Sequence, residues 1–142
     1  RHSVFVSPIY LVNQLYAEHR GDQILGTTIN SPTFNSSHEG TNVPYLDAVV
    51  SRTADGKTIV IKAVNTNPTS ALNTTITING ALPAPRAEVK TVTAPSINVA
   101  NDFSRPNAVS IQKRMLPSGR SFVVTLPKHS VSVIVLNVST SR

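Results

Sequence analysis

Cysteine and tryptophan are both missing from this chain of 142 residues, only seven residues are acidic, and charged residues of either sign make up 14%. The missing cysteine excludes disulfides, thiolate metal sites and a cysteine nucleophile together, and leaves the compartment open. The missing tryptophan thins any flat aromatic platform, for which three Tyr and four Phe remain. No stretch approaches the roughly 20 apolar residues that a helical membrane span needs, and the N-terminus has neither the apolar run nor the small-residue cleavage site of a signal peptide. The chain therefore reads as a mature or excised piece.

What is present is Val, Thr, Ser, Asn and ten Pro, a composition of many short strands with frequent turns. The length suits one domain with a real core. The formal net charge of +6 comes from thirteen Lys and Arg spread from Arg1 to Arg142, with only Lys113 and Arg114 adjacent. Without a basic stripe or aromatic interleaving, this is a solvated surface, not a nucleic-acid interface.

The clearest local pattern is Val43 to Asn65. Leu46, Ala48 and Val50 alternate with Tyr45, Asp47 and Val49, and Ile59, Ile61 and Ala63 alternate with Val60, Lys62 and Val64, the period of a pleated strand. Thr53-Ala54-Asp55-Gly56 lies between, with Asp to open a turn and Gly to take a positive φ. A central hairpin follows, and the apolar Val49, Val60 and Val64 on its outer side predict that something packs there.

One helix of about a dozen residues is expected first. Ser7 caps, Pro8 starts the first turn, and Ile9, Val12, Leu15 and Tyr16 recur at helical spacing before Gly21 stops it. Those four side chains are expected to be buried against the sandwich or a second copy of the chain. Val4 to Val6 is a strand or an extended lead-in. Further strands are expected at Leu25–Ile29, Leu72–Ile78, Ala87–Thr93, Ala108–Lys113, Phe122–Leu126 and Val131–Val138, with loops at Asn30–Asn42 and Asn98–Asn107 and with Pro83 and Pro85 outside any ladder. The fold class is all-β, an antiparallel β-sandwich or jelly roll of eight or nine strands at roughly 8 to 12 residue spacing, with one N-terminal α-helix. The composition shifts at Gly21-Asp22, which divides 1–21 from 22–142.

No catalytic, cofactor or metal residue emerges. A glycosidase needs two carboxylates about 5 to 10 Å apart, and most acids here have ordinary explanations: Asp55 in the turn, Glu18 and Asp22 at the helix end, Glu88 on a polar strand face, Asp102 in a loop. Asp47 is the exception, an acid in mid-strand. We read it as a structural carboxylate receiving backbone N–H or Arg bonds, against the alternative of a buried acid or ligand. His2, His19, His38 and His129 form no metal-spaced pair. His38-Glu39 reads as a solvated loop, and His129-Ser130 cannot pair as base and nucleophile because neighbours on a strand face opposite ways. Tyr45, Phe34 and Phe103 are the aromatics left for a sugar. The sequons at Asn35, Asn73 and Asn137 are glycan acceptors only in a eukaryotic secretory protein, and chance explains them equally well.

In their order, the segments resemble the C-terminal region of family 51 α-L-arabinofuranosidases. SPIYLVNQLYAEHRGD is similar to the last barrel helix of that family, Tyr45-Leu46-Asp47-Ala48 with Asp55-Gly56 and Ile61-Lys62-Ala63-Val64-Asn65 to its hairpin, and Leu126 to Ile134 to its closing strand. Asn107 after Arg105-Pro106 departs from the usual order. The resemblance implies that 1–21 is a remnant of a preceding (β/α) barrel and 22–142 the C-terminal β-sandwich. It also implies that the retaining pair of glutamates lies upstream of Arg1, so the chain alone is inactive. The implied partner is the catalytic barrel of the same enzyme, in one chain or as a separate one. A second copy and a carbohydrate are further candidates, the latter if the chain is a stand-alone binding module; nucleic acid and membrane are not. The family's N-terminal strand completes this sandwich, so an unfilled sheet edge is expected.

Overall fold

The structure, a computed structural model, describes residues 4–140; His2 and the other terminal residues lie outside them. Helix α1 (Pro8–Glu18) precedes eleven strands: β1 (Gln23–Ile24), β2 (Thr33–Ser36), β3 (Gly40–Pro44), β4 (Leu46–Arg52), β5 (Thr58–Asn65), β6 (Leu72–Thr77), β7 (Ala81–Pro83), β8 (Arg86–Val92), β9 (Ile111–Pro117), β10 (Ser121–Leu126) and β11 (Ser130–Thr140). The large sheet has the order β1-β4-β5-β11-β8-β9, all antiparallel, and β7 pairs with the end of β11. A second layer is β6 with β10 alone, and β2 with β3 forms a separate hairpin. This is the expected antiparallel sandwich with one helix.

The central hairpin is as expected, except that of the outer-side residues only Val60 is buried under the helix, while Val49 is 49% exposed. β4 and β5 pair from Leu46 opposite Asn65 to Arg52 opposite Ile59, and Gly56 closes the turn at φ 71° with its N–H donating to Thr53 O. Alternation sends Leu46, Ile59, Ile61 and Ala63 into a core shared with Val89, Ile134 and Leu136, and with Phe122, Val124 and Leu126 of the facing layer. The other side of β5 and β11 carries Val60 and Val133, which pack under Leu11 and Leu15 of α1. Both faces of these strands are covered, which explains their nearly continuous apolar runs.

Ser7 caps α1, its Oγ accepting from Tyr10 N at 3.2 Å. The buried stripe is Leu11 and Leu15, flanked by half-buried Val12 and Tyr16, whereas Ile9 is 73% exposed. The expected burial of Ile9 is thus overturned: it stands two residues before Leu11, about 200° around the helix. Lys62 holds the end of the helix, its Nζ donating to Tyr16 O at 3.2 Å and lying 4.6 Å from the Tyr16 ring centroid. Gly21 is required for a different reason than stopping a helix. Its φ is not positive, and an added Cβ would collide with Ser51 on β4.

Five further expectations are corrected. The strand at Leu25–Ile29 ends before it: after Leu25 N donates to Val50 O, Thr27 turns its hydroxyl to Leu25 O and Gly26 contributes no side chain to pack. The loop at Asn30–Asn42 contains the β2–β3 hairpin. Its Ser and Asn residues supply turn chemistry: Ser36 Oγ accepts from His38 N and Glu39 N, Asn35 Oδ1 accepts from Asn42 N, and Gly40 and Asn42 take φ of 99° and 59°. Pro83 sits within a ladder, opposite Val138, on an edge strand where its missing N–H costs no bond. β9 starts at Ile111, not Ala108, because buried Asn101 takes both backbone groups of Val109. Finally, the eight or nine expected strands become eleven among the described residues, through the β2–β3 hairpin and the very short β1 and β7. Val4–Val6 is a lead-in without strand pairing.

Candidate functional site

The acids lie apart from one another, in turns and in surface ion pairs. Asp55 accepts Thr53 Oγ at 2.6 Å and Lys57 N at 3.0 Å, which hold its carboxyl below the usual range. Asp102 accepts from the hydroxyl of Ser104 at 2.6 Å and from Arg105 N at 2.7 Å, and its pKa falls to about 2. Asp22 Oδ2 accepts from Ala54 N at 2.8 Å, fastening the end of the helical segment to the β4–β5 turn. On the outer face, Glu88 meets Lys113 at 2.9 Å and Lys90 at 3.7 Å, and Lys90 reaches Glu18 at 3.9 Å. The Lys113 bond, first, lowers the Glu88 pKa.

Asp47 is not the bonded carboxylate expected. It is exposed on the outer face of β4, opposite Val64, and accepts no hydrogen bond among the described residues. Its charge, after burial, raises the pKa of Tyr16. An exposed carboxylate keeps its water, so a mid-strand Asp on this face needs no partner.

The histidines are also separate. His38 is exposed in the β2–β3 turn. His19 Nδ1 donates to Leu15 O at 3.0 Å, at the end of α1. His129, at φ 34°, donates from Nε2 to Ala94 O at 2.7 Å, while Ser130 Oγ donates to Pro127 O at 2.7 Å. Base and hydroxyl therefore serve different carbonyls. No three His, Asp or Glu side chains converge among the described residues. Of the aromatics, Phe34 and Tyr45 stack on each other with centroids 4.7 Å apart, and Phe103 meets Phe5 edge-on at 4.9 Å. Phe34 and Tyr45 cover one face of each other, whereas Phe103, touched edge-on by Phe5, stays 72% exposed as a lone ring on a loop with no second aromatic to form a platform.

A groove of about 560 Å³ lies between the layers. Its floor is apolar, from Ala48 and Val50 on β4, Ile59 and Ile61 on β5 and Val124 and Leu126 on β10, and its rims are Thr74–Asn79 and Leu25–Asn30. It exists because β6 pairs only with β10, so a two-stranded layer covers part of a much wider sheet. The other edge of β6 carries unpaired backbone groups beside an apolar floor. β10 leaves its far edge unpaired as well, but only that of β6 borders the groove. The residues that make the groove were legible only as inward-facing positions of separate strands.

These features define an all-β sandwich domain with a helix on one face and an open edge between its layers. Residues 1–130 match the family described as the α-L-arabinofuranosidase C-terminal domain, and the chain belongs to that family. Its fold superposes on the α-L-arabinofuranosidase of Thermotoga maritima solved with arabinose, at TM-score 0.86 and 30% identity over 94% of this chain. The GH51 α-L-arabinofuranosidase of Thermotoga petrophila RKU-1 gives 0.84 and 31% over 92%. The GH51 arabinofuranosidase of Xanthomonas axonopodis pv. citri, at 24% identity and TM-score 0.79, shares the fold. The chain spans 29% of the length of each Thermotoga protein. No curated protein matches it.

Proposed function

We propose that this chain is the non-catalytic supporting domain of a GH51 α-L-arabinofuranosidase, whose barrel removes terminal α-L-arabinofuranosyl groups from arabinan or arabinoxylan with retention. The observation that carries this is the family match over residues 1–130. It is supported by acids that are tied into turns and surface ion pairs instead of facing one cleft. Residues 1–21 belong to the last element of the barrel and 22–142 to the sandwich. The sandwich packs beside the barrel, and the open edge of β6 takes a strand from the rest of the enzyme, adding main-chain bonds over the apolar floor.

The test compares the chain alone with the same chain joined to a GH51 barrel, using an aryl α-L-arabinofuranoside. The expected result is turnover only in the joined form. Turnover by the chain alone, abolished by a substitution within it, would overturn the proposal. Retardation of the chain on arabinoxylan gels that is lost in Tyr45→Ala would favour a sugar-binding module instead.

A further inference from the structure

At the end of β6, on the rim of the groove, the backbone turns through Asn79-Gly80. This is the single asparagine in the sequence followed by glycine; every other asparagine precedes a residue with a side chain. Both residues are exposed, Gly80 holds φ at 77°, and an added Cβ on Gly80 would meet nothing within 4 Å. Neither the Asn79 amide nor the Gly80 N–H makes a hydrogen bond to another described residue. Several other asparagines are held: Asn35, Asn65, Asn67, Asn73 and Asn101 each accept or donate fixed side-chain bonds.

We infer that Asn79-Gly80 is a site of spontaneous deamidation in the folded protein. Hydroxide removes the Gly80 amide proton, and the nitrogen, unshielded by a Cβ, attacks the amide carbon Cγ of Asn79. A new C–N bond forms there, the bond from Cγ to Nδ2 breaks, and ammonia leaves a five-membered succinimide. One water then opens the ring. Opening at the backbone carbonyl gives isoaspartate, with the backbone running through the former side chain, and opening at the other carbonyl gives aspartate. No oxidant, enzyme or cofactor enters.

Asp55-Gly56 is an internal comparison. It can cyclise by the same chemistry with loss of water, yet the Asp55 carboxylate is held by Thr53 and Lys57, and Gly56 N donates to Thr53 O at 2.9 Å. Its nucleophile and its electrophile are both engaged. The products at Asn79 place a negative charge on the rim of an apolar groove. In the isoaspartyl form they also lengthen the backbone between β6 and β7, next to the pairing of Ala81 with Thr140. This chemistry does not depend on the enzyme family.

The experiment is incubation of the folded protein at mildly alkaline pH, with peptide mapping by mass spectrometry and isoaspartyl methyltransferase labelling over time. The expected result is conversion at Asn79 ahead of every other asparagine, as mixed aspartyl and isoaspartyl products, with Asp55 unchanged. Asn79→Gln, whose longer side chain closes a ring slowly, should lose the modification while keeping the unfolding midpoint. The same protein unfolded in urea is the control. If Asn79 converts in urea but in the folded protein no faster than the other asparagines, the turn protects the motif and the inference is wrong; equal slowness in both states overturns it too.

Discussion

Asn65 shows what one buried amide does in this fold. It is 1% exposed, its Nδ2 serves the carbonyls of Ser70, Leu126 and Pro127, and its Oδ1 accepts from Asn67 N at 2.9 Å. The side chain thereby ties the end of β5 to the connection before β6 and to the β10–β11 turn. Replacing it by Ala leaves buried groups unsatisfied, each worth about 1 to 3 kcal/mol. Asn65→Ala should lose at least about 2 kcal/mol in urea unfolding, and Asn65→Asp should be no better, because a carboxylate cannot donate to carbonyls. At the surface, Asp102 has the opposite character. Its folded pKa of about 2 lies below the value of about 3.9 for an unfolded Asp. Its contribution to stability is therefore full above the unfolded value and is lost as pH falls towards 2. Unfolding midpoints taken from about pH 5 down to about pH 2 should fall less steeply in Asp102→Asn than in the parent protein, and identical slopes would show that the Asp102 turn contributes nothing.

At the scale of elements, legibility followed the kind of signal each segment carries. β4 and β10 were readable because apolar and polar positions largely alternate, β5 as a short apolar run after the Asp55-Gly56 turn, and β6 because Leu72 and Ile76 alternate with Asn73 and Thr75. The β2–β3 hairpin was hidden because its Asn35, Ser36 and Asn42 are the residues of loops as much as of the bulge and turn they build here. In α1 the spacing named the right element and one wrong residue, since Ile9 and Leu11 are both apolar and only the docked sheet decides between them. That assignment can be measured. Leu15→Ala, at a fully buried position, should cost about 2 to 5 kcal/mol. Ile9→Ser should change the stability of the chain alone by no more than about 0.5 kcal/mol, and a large loss at Ile9 would mean that a second copy covers it. Gly21→Ala tests the contact between the helical segment and β4. The collision with Ser51 should cost about 1 to 3 kcal/mol, and Ser51→Gly in the same background should return much of it.

For the molecule as a whole, the groove and the order of the strands share one cause, the unequal width of the two layers. β5 and β11 pair along eight positions and have neighbours on their other edges, β4 and β8. Apolar side chains cover both of their faces. β6 and β10 share a backbone ladder only with each other, across six positions, and the large sheet reaches them through side chains, among them Asn65 to Leu126 O and Arg114 to Thr125 O. No alternation pattern within one strand reports this, because the number of strands in each layer is set by pairing between distant segments. Local openings have free energies set by what they expose, so the two-stranded layer should open without the rest. In native-state hydrogen exchange, amides of Val60, Ile61, Val133 and Ile134 should approach the protection of global unfolding. The free edge of β6 should exchange fastest among the strands of the sandwich, with β10 next. An extended segment bound along that edge should slow β6 most of all, since it would supply the missing acceptors and close the apolar floor. Equal protection in β5 and β6 in the chain alone would mean that the groove is already closed in solution, and that the strand addition proposed at the β6 edge does not occur.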